Sequence, residues 1–303
     1  MRKLTKGFLI FGVVTTVIGF ILLFVGIQSD GIESLLSMSK EPVYDSRMEE
    51  LTFGKEVENL EITLHQHALT ITDSLDDQIH ISYHPSISAN HDLVTNQNDK
   101  TLSLTDKKLS KSPFLSSGIG GILHIASSYS SRFDEVILQL PKGRSLKGIN
   151  ISANRRQTTI INASLENATL NTNGYLLRIE GSRIKNSKLT TPNIVNIFDT
   201  DLTDSQLEST EKHFHAENIK VYGKVELSSK NALSIMLTQK ESQEINLDLS
   251  SHHGPIYQLS RDESQRHPNE LSNPYKTEKT DAKGQLIAKA DDYISLETTA
   301  NRP

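Results

Sequence analysis

Close pairs of histidines are the residues whose type and spacing come nearest to metal chemistry in this chain. The chain has eleven histidines, and six of them form pairs: His65 with His67, His213 with His215, and His252 with His253. Residues two apart in a strand share a face, so either His-x-His pair could supply two zinc ligands. Each pair lies where a turn is expected, and spacing names no third ligand. We therefore interpret these histidines as solvated turn residues and assign no metal site and no cofactor.

The densest group of carboxylates is Asp199, Asp201 and Asp204. Enzymes that cleave polysaccharides on β-helix scaffolds need carboxylates that converge on a cleft as acid, base or calcium ligands. Asp199 and Asp201 are two apart and could share a face, whereas Asp204 is explained by the repeat described next. The chain also lacks a nucleophile elbow, a phosphate-binding glycine loop and a His-Glu-x-x-His motif. We assign no catalytic residue.

Asp204 belongs to a repeat of eighteen to nineteen residues, with copies at 165–172, 184–191 and 202–209. Each copy has two apolar residues five apart, Asn or Asp two places after the first of them, and Ala or Ser at the third place. A short unit that cannot close a core alone buries its apolar face by stacking on its neighbours. The repeat therefore predicts an all-β fold, a β-solenoid resembling a parallel β-helix.

The polar position of the repeat is held by Asn167, Asn186 and Asp204. Stacked at one place in successive rungs, such side chains can form a ladder, as amides do in cross-β stacks. We interpret the series as structural and not as a ligand site. An Asn186→Leu substitution should then lower thermal stability without affecting any binding activity.

The repeat extends in both directions, although it becomes less regular. Leu146 and Ile151 precede Leu165 and Leu170 by nineteen residues, which predicts a fourth rung. Beyond Leu207 the pattern is less clear: Val225 lies eighteen residues later and is followed by Leu227, and these alternating residues predict a further strand. A further series of isoleucines recurs every eighteen residues and should be in register: Ile161, Ile179 and Ile197.

Segments outside the repeat alternate apolar and polar residues, which is typical of half-buried strands. They lie at 60–64, 68–72, 78–83, 101–105 and 136–140, and we expect antiparallel sheet that caps the solenoid. Residues 260–283 are charged and contain Pro and Asn, which favours a long exposed loop. After that loop, residues 284–288 and 293–297 are expected to form a closing pair of strands.

The first apolar segment of the chain runs from Phe8 to Ile27 and contains about twenty uncharged residues, enough to span the hydrocarbon layer of a bilayer as a helix. Basic residues precede it, namely Arg2, Lys3 and Lys6, and acidic residues predominate after it. Because basic residues stay cytoplasmic, we expect a cytoplasmic N-terminus at 1–7 and a transmembrane helix at 8–27. An acidic stalk at 28–50 and an extracellular domain at 51–299 should follow.

Composition excludes several functions. The chain has no cysteine, so it has neither disulfides nor thiolate metal sites. Its net charge is −5 and its pI about 6.1, with no concentration of basic residues, so no nucleic-acid partner is expected. An insertion from Asp106 to about Phe133 contains an apolar, glycine-rich segment from Pro113 to Ile125. We expect it to fold back on the sheet, the alternative being a membrane-facing or partner-binding surface.

The rungs, the Pro141-Lys-Gly lead-in and the strands at Gly284 and Ile294 resemble the β-strand-repeat domain of the bacterial "putative adhesin" family, and are similar to LiaG-type proteins of Gram-positive bacteria. The resemblance covers roughly residues 51–298. It implies a membrane-anchored β-repeat domain with a role in the cell envelope or in envelope stress, and it supplies no catalytic residues. Relatives often have Gly at the rung turns, where this chain has Asn, Asp or Ser. Asn and Asp tolerate left-handed backbone conformations better than other residues with a side chain.

The sequence therefore predicts a non-enzymatic, single-pass membrane protein that displays a β-repeat domain outside the cell. Its partner would be another envelope protein or a wall polymer. The alternative is a polysaccharide-active β-helix enzyme that acts on cell-wall or exogenous glycans.

Overall fold

The computed structural model describes residues 48–65, 67–83, 93–106, 135–154, 156–259 and 268–299, together with residues 12, 14–16 and 19. The chain divides into two compact units. One unit comprises Met1–Asp45 with Leu109–Ser131, and its described residues are helical. The other comprises Ser46–Lys108 with Arg132–Pro303 and contains all the described strands.

Several predicted segments lie mostly or wholly outside the described residues. They are the transmembrane helix at 8–27, the stalk at 28–50 and the Pro113 to Ile125 segment. In the part of the chain that the structure describes, no helix combines the length and the apolar character that crossing a bilayer requires. The first strand begins at Glu49, two residues before the predicted start of the domain at Leu51.

The second unit is all-β, as predicted. The strands before the repeat are β1 (Glu49–Phe53), β2 (Asn59–Leu64), β3 (Ala68–Asp73), β4 (Ile79–Tyr83), β5 (Leu93–Asn98), β6 (Thr101–Asp106) and β7 (Glu135–Leu140). The strands of the repeat are β8 (Gly148–Ala153), β9 (Thr158–Ile161), β10 (Ser164–Glu166), β11 (Ala168–Thr172), β12 (Leu176–Glu180), β13 (Arg183–Lys185), β14 (Lys188–Thr191), β15 (Ile194–Phe198), β16 (Asp201–Thr203), β17 (Gln206–Ser209), β18 (Phe214–Glu217), β19 (Lys220–Ser229) and β20 (Leu233–Thr238). The remaining elements are the helix α1 (Gln239–Glu244) and the strands β21 (Ile245–Ser251), β22 (Ile256–Leu259), β23 (Asn269–Leu271), β24 (Tyr275–Lys276), β25 (Gly284–Ala290) and β26 (Ile294–Thr299).

The strands form three sheets, and each full rung of the repeat contributes one strand to each. Sheet 1 has the order β1-β4-β7-β3-β9-β12-β15-β18-β20-β26-β22-β23. Sheet 2 has the order β5-β6-β2-β8-β11-β14-β17-β19-β25-β21-β24, and sheet 3 the order β10-β13-β16-β19. Sheets 2 and 3 are joined by β19, which is ten residues long. The predicted β-solenoid architecture is confirmed.

Stacked apolar residues fill the interior. Parallel pairing in sheet 2 places one buried residue from each rung above the next: Ile151, Leu170, Leu189, Leu207 and Leu227. Sheet 3 contributes a second series: Leu165, Ile184, Leu202 and Val221. Burying each such side chain contributes about 1.5–3 kcal/mol, and because the stack is continuous no rung has to form a core alone.

One predicted register position was wrong, and the structure decides another that the sequence left open. Ile160, and not Ile161, pairs with Ile179, because Ile161 is the outward member of two adjacent isoleucines. Leu207 pairs with Leu227 and not with Val225. The corner after Thr203 contains two residues before Gln206, whereas the equivalent corner in β19 contains three residues, 223–225, before Glu226. The extra residue shifts the register.

The strands β2 and β3 form one turn of the solenoid, which we call a coil, and this coil lies inside the stack. It is not an antiparallel cap, which corrects the prediction for this region. β2 pairs in parallel with β6 and β8, and β3 with β7 and β9. Antiparallel pairs are confined here to the end strands β1, β4 and β5. Alternation indicates which residues of a strand face inward, but it is the same for parallel and antiparallel neighbours.

The C-terminal coil is also interior. β25 lies between β19 and β21, and β26 lies between β20 and β22, with parallel pairing on both sides. The last coil of the chain is therefore inserted into the stack and does not close it. The short strands β23 and β24 pair antiparallel at this end and occupy part of the segment that was predicted to be a loop.

Candidate functional site

The polar position of the repeat is a corner between sheets 3 and 2, which we call corner 3–2. Asn167, Asn186 and Asp204 have φ angles of 56°, 49° and 46°, and Gly223 follows them with 59°. These left-handed conformations are accessible to Gly and, among residues with a side chain, most readily to Asn and Asp. The series is stacked as predicted, but no side-chain hydrogen bond joins its members. Their backbone N–H groups instead donate to carbonyls of the next rung, as from Asn186 to Thr203 at 3.0 Å.

A column of buried hydroxyls follows the left-handed residues and supports the same corner. The N–H of Ala168 donates to Ser187 Oγ at 3.1 Å, and the N–H of Ser187 donates to Ser205 Oγ at 3.2 Å. Each hydroxyl donates in turn to a carbonyl, from Ser187 to Lys185 at 2.6 Å and from Ser205 to Thr203 at 2.7 Å. The Ala or Ser of the repeat was visible in the sequence, but its contribution to the corner was not recognised.

A second corner, between sheets 1 and 3, contains Asp199. Its φ is 48°, and its stack equivalents Asn162, Gly181 and Asn218 have φ between 50° and 59°. Asn218 Nδ2 donates a hydrogen bond to Asp199 Oδ1. Asp199 is thus a corner residue that is hydrogen-bonded to the next rung. The period of eighteen to nineteen residues could have identified Asp199 and its stack equivalents from the sequence.

The other two carboxylates of the predicted cluster have separate partners. Asp201 Oδ1 lies 3.5 Å from Lys220 Nζ on the outer face of sheet 3. Asp204 Oδ1 accepts a hydrogen bond from the N–H of Lys224 at 3.0 Å. Asp199, Asp201 and Asp204 are therefore distributed over two corners and the strand between them, each held by a residue of the following rung.

His67 is buried, which corrects its interpretation as a solvated turn histidine. It is 2% exposed, and its Nδ1 lies 2.7 Å from Oδ2 of Asp106, which is fully buried. The other carboxylate oxygen of Asp106 accepts the N–H of His65 at 2.5 Å. The turn between β2 and β3 is a corner between two sheets and not a hairpin. The sequence could have identified Asp106 as a buried residue, because inward-facing residues alternate along β6 and Asp106 is the next one after Leu104.

The other histidine pairs lie on the surface. His213 is exposed, whereas His215 is half-buried on the outer face of sheet 1, 3.6 Å from Glu217. His252 and His253 are exposed at a turn, as predicted. Across the described ranges, no three His, Asp or Glu residues are grouped so that they could hold a metal ion.

A histidine that the sequence analysis did not single out links the first strands of sheet 1. His80 Nδ1 lies 2.6 Å from Glu50 Oε1, and His80 Nε2 lies 3.0 Å from Asp76 Oδ1. The hydrogen bond with Asp76 raises the pKa of His80 against the opposing effect of burial, and Glu50 adds to the rise. The same bond, with support from Gln78 and Ser74, lowers the pKa of Asp76 to about 2. The cluster joins β1 to β4 and is structural.

A groove runs along corner 3–2 beside sheet 2. Its volume is about 600 Å³, and its lining includes Asn167, Asn186, Asp204, Lys188, Gln206 and Lys224. A second groove of about 840 Å³ follows the corner between sheets 2 and 1 and is rich in serine. Both grooves are open, and most of the residues that line them have polar side chains that can hydrogen-bond to a ligand.

Comparisons with solved structures find several proteins of low sequence identity to this chain. One is a "putative adhesin" from Bacteroides fragilis, with 14% identity, coverage of 84% of this chain and 98% of that chain, and a TM-score of 0.40. Another is a "putative cell adhesion protein" from Clostridium sporogenes, with 12% identity, 84% and 100% coverage, and a TM-score of 0.31. A third is a "putative lipid binding protein" from Parabacteroides distasonis, with 10% identity, 85% and 96% coverage, and a TM-score of 0.25. No curated protein matches the chain.

The comparison with protein families gives a match that spans nearly all the described strands. The Toastrack DUF4097 family model matches residues 57–297, from just before β2 into β26. The match includes the repeat, the strands β2, β3 and β25, and strands of all three sheets. It also confirms the resemblance to the adhesin family that the rungs indicated. The chain belongs to the Toastrack DUF4097 family.

Proposed function

We propose that this chain is a non-catalytic binding protein of the bacterial cell envelope. The apolar segment 8–27 would hold it in the membrane, and the solenoid would contact its partner outside the cell. The basic residues before that segment and the acidic residues after it support this orientation. A part in the response to envelope stress, implied by the resemblance to LiaG-type proteins, belongs to the same proposal.

The observation that carries the proposal is the use of the repeat's carboxylates to hold neighbouring rungs together. Asp199 accepts a hydrogen bond from the Asn218 side chain, and Asp204 accepts one from the backbone N–H of Lys224. Asp201 forms an ion pair with Lys220. Glycoside hydrolysis requires two carboxyl groups that face one substrate across a cleft. Polar groups on the outer strand faces of the described residues can contact a partner.

Site-specific photo-crosslinking in intact cells tests this proposal. A photoreactive residue is placed in turn at Thr169 in sheet 2, Asn196 in sheet 1 and Arg183 in sheet 3, which are all outward positions. We expect at least one position to form an adduct with an envelope component. The triple variant Asp199→Asn, Asp201→Asn, Asp204→Asn should fold, because Asn occupies the corner positions equivalent to Asp199 and Asp204 in other rungs and Asp201 lies on the outer face of sheet 3. It should form the same adduct.

Two results would contradict the proposal. One is the absence of any adduct from all three faces. The other is cleavage of a cell-wall glycan by the parent chain and its loss in the triple variant, which would establish the enzyme alternative.

A further inference from the structure

The strand β5 lies at one end of sheet 2, and among the described residues only one of its two edges has a partner strand. That partner is β6, which pairs antiparallel with all six residues from Leu93 to Asn98. In an antiparallel pair, alternate residues direct their N–H and C=O groups away from the partner. Half of the backbone groups of β5 are therefore directed to its other edge, which we call the open edge, where they are placed to pair with a further strand.

The composition of β5 does not protect the open edge. Proteins usually protect an edge strand by charged residues, proline, a bulge or short length. β5 is about 20 Å long, and its sequence Leu-Val-Thr-Asn-Gln-Asn has neither charge nor proline. Leu93 packs against the core, so the next residue, Val94, faces outward, and it is 44% exposed.

The other strands at the ends of the three sheets differ from β5, because each of them has a charged residue. These residues are Glu50 in β1, Glu270 in β23, Lys276 in β24, Glu166 in β10 and Lys220 in β19. Among the end strands that the structure describes, β5 is thus the one best suited to pair with a strand from another chain.

A second copy of β5 fits the open edge. Directly opposite residues of two paired strands have their side chains on the same face of the sheet, and successive residues alternate between the faces. A two-fold axis perpendicular to the sheet therefore pairs residues that are an even number of positions apart. Placed at Thr95, such an axis sets this residue opposite its own copy.

The resulting register is compatible with both faces of the sheet. Leu93 is opposite Gln97 of the second copy on the inward face. Val94 is opposite Asn96 of the second copy on the outward face. Like charges that oppose each other destabilise a pair of strands, and this pairing contains no charged residue.

We propose that the open edge of β5 binds β5 of a second copy of this chain, so that sheet 2 continues across a two-fold axis from one solenoid to the other. Backbone hydrogen bonds between the two strands hold the dimer together. One pair of six-residue strands is a small contact compared with the roughly 1,200 Å² buried in the smaller stable interfaces. We therefore expect a weak dimer whose population rises with protein concentration. This self-association is separate from the partner in the proposed function.

Cysteine crosslinking of the full chain in detergent tests the proposal, because the chain has no cysteine of its own. In Thr95→Cys the two thiols are opposite each other, where the Cα atoms are roughly 4.5–5.5 Å apart, within the range of a disulfide. We expect mild oxidation to give a covalent dimer in a yield that rises with concentration. In the matched control Asn96→Cys, each thiol is opposite Val94 of the second copy, and the yield should be at least ten-fold lower.

A charge on the open edge should prevent the pairing. Val94→Lys, combined with Thr95→Cys, adds the residue type that protects natural edge strands and should lower the dimer yield at least ten-fold. Its matched control, Val94→Thr with Thr95→Cys, keeps the edge uncharged and should dimerise as Thr95→Cys alone does. Melting curves check that both variants fold, which the exposure of Val94 leads us to expect.

Three results would overturn the proposal. They are equal dimer yields from Thr95→Cys and Asn96→Cys, an undiminished yield in the Val94→Lys variant, and the absence of dimer at every concentration. If no dimer forms but photo-crosslinking in cells still gives an adduct with an envelope component, this inference is wrong and the proposed function stands.

Discussion

At the scale of single residues, the polar positions of the repeat are determined by backbone geometry. Asn186 has a φ of 49°, in the left-handed region where side chains other than those of Asn and Asp are disfavoured. Gly223 occupies the equivalent position of corner 3–2 in a later rung, and Gly181 occupies the left-handed position of the corner between sheets 1 and 3, with the same sign of φ. The requirement at these positions is therefore a conformation, and Asn, Asp and Gly all satisfy it.

Asn186→Leu should lower the free energy of unfolding by about 1–2 kcal/mol, because Leu adopts the left-handed conformation at a cost. The matched variant Asn186→Gly keeps that conformation accessible and should remain within about 1 kcal/mol of the parent. Urea unfolding of the three proteins measures both differences. A Leu variant as stable as the Gly variant would contradict the geometric explanation.

The cluster around His80 predicts a pH dependence. The pKa of His80 is raised in the folded state, so its stabilisation is complete below its ordinary value of about 6.5 and is lost as pH rises through the folded pKa. The pKa of Asp76 is lowered to about 2 from 3.8, so its stabilisation is present above 3.8 and is lost as pH falls towards 2. Both contributions coexist between about pH 4 and 6.5.

His80→Gln should therefore lower the melting temperature most near pH 5 and less near pH 8. Melting curves of the parent and the variant between pH 4 and 9 measure this difference. Because Asp76 and Glu50 are about half exposed, the effect should also weaken with salt. A difference in melting temperature that does not vary with pH would contradict ionic stabilisation of the β1–β4 junction.

At the scale of secondary structure, the chain places its last coil between two earlier ones. Leu286 of β25 is fully buried and pairs with Val225 on one side and Leu247 on the other. Ile287, the next residue, faces outward on the same strand. A coil with neighbours on both sides contributes to two interfaces of the stack, whereas a terminal cap contributes to one.

Leu286→Ala should destabilise the solenoid by about 2–5 kcal/mol, as expected for a large buried residue in a filled core. Ile287→Ala on the outer face of the same strand is the matched control and should cost about 1 kcal/mol or less. Urea unfolding monitored by far-UV circular dichroism compares the two variants. Equal and small effects would indicate that β25 is peripheral to the stack.

Periodicity made the strands and rungs predictable, because residues that face the core recur every two positions within a strand and every eighteen to nineteen along the repeat. The neighbours of β2 and β25 were not predictable, since alternation is the same in any parallel or antiparallel pair. The change of register at Gly223 was missed because one additional corner residue leaves the apolar pattern of β19 nearly unaltered. The His67–Asp106 pair was missed because its partners are 39 residues apart and meet only through the pairing of β2 with β6.

For the molecule as a whole, corners and buried hydroxyls hold the rungs together, and polar side chains project from the outer strand faces. The repeat could be recognised from sequence, whereas the contacts that hold the corners could not, because they join residues of different rungs. Under the proposed function, the outer strand faces contact a partner outside the cell.

Cleavage of the full chain in intact cells tests the central claim most directly. A recognition site for a specific protease is inserted between residues 28 and 47, and as a control between residues 1 and 7. With protease added outside, we predict release of the solenoid domain into the medium from the first protein and no cleavage of the second. Retention of the domain on intact cells, with cleavage of the 28–47 site only after the membrane is opened, would contradict an extracellular binding protein.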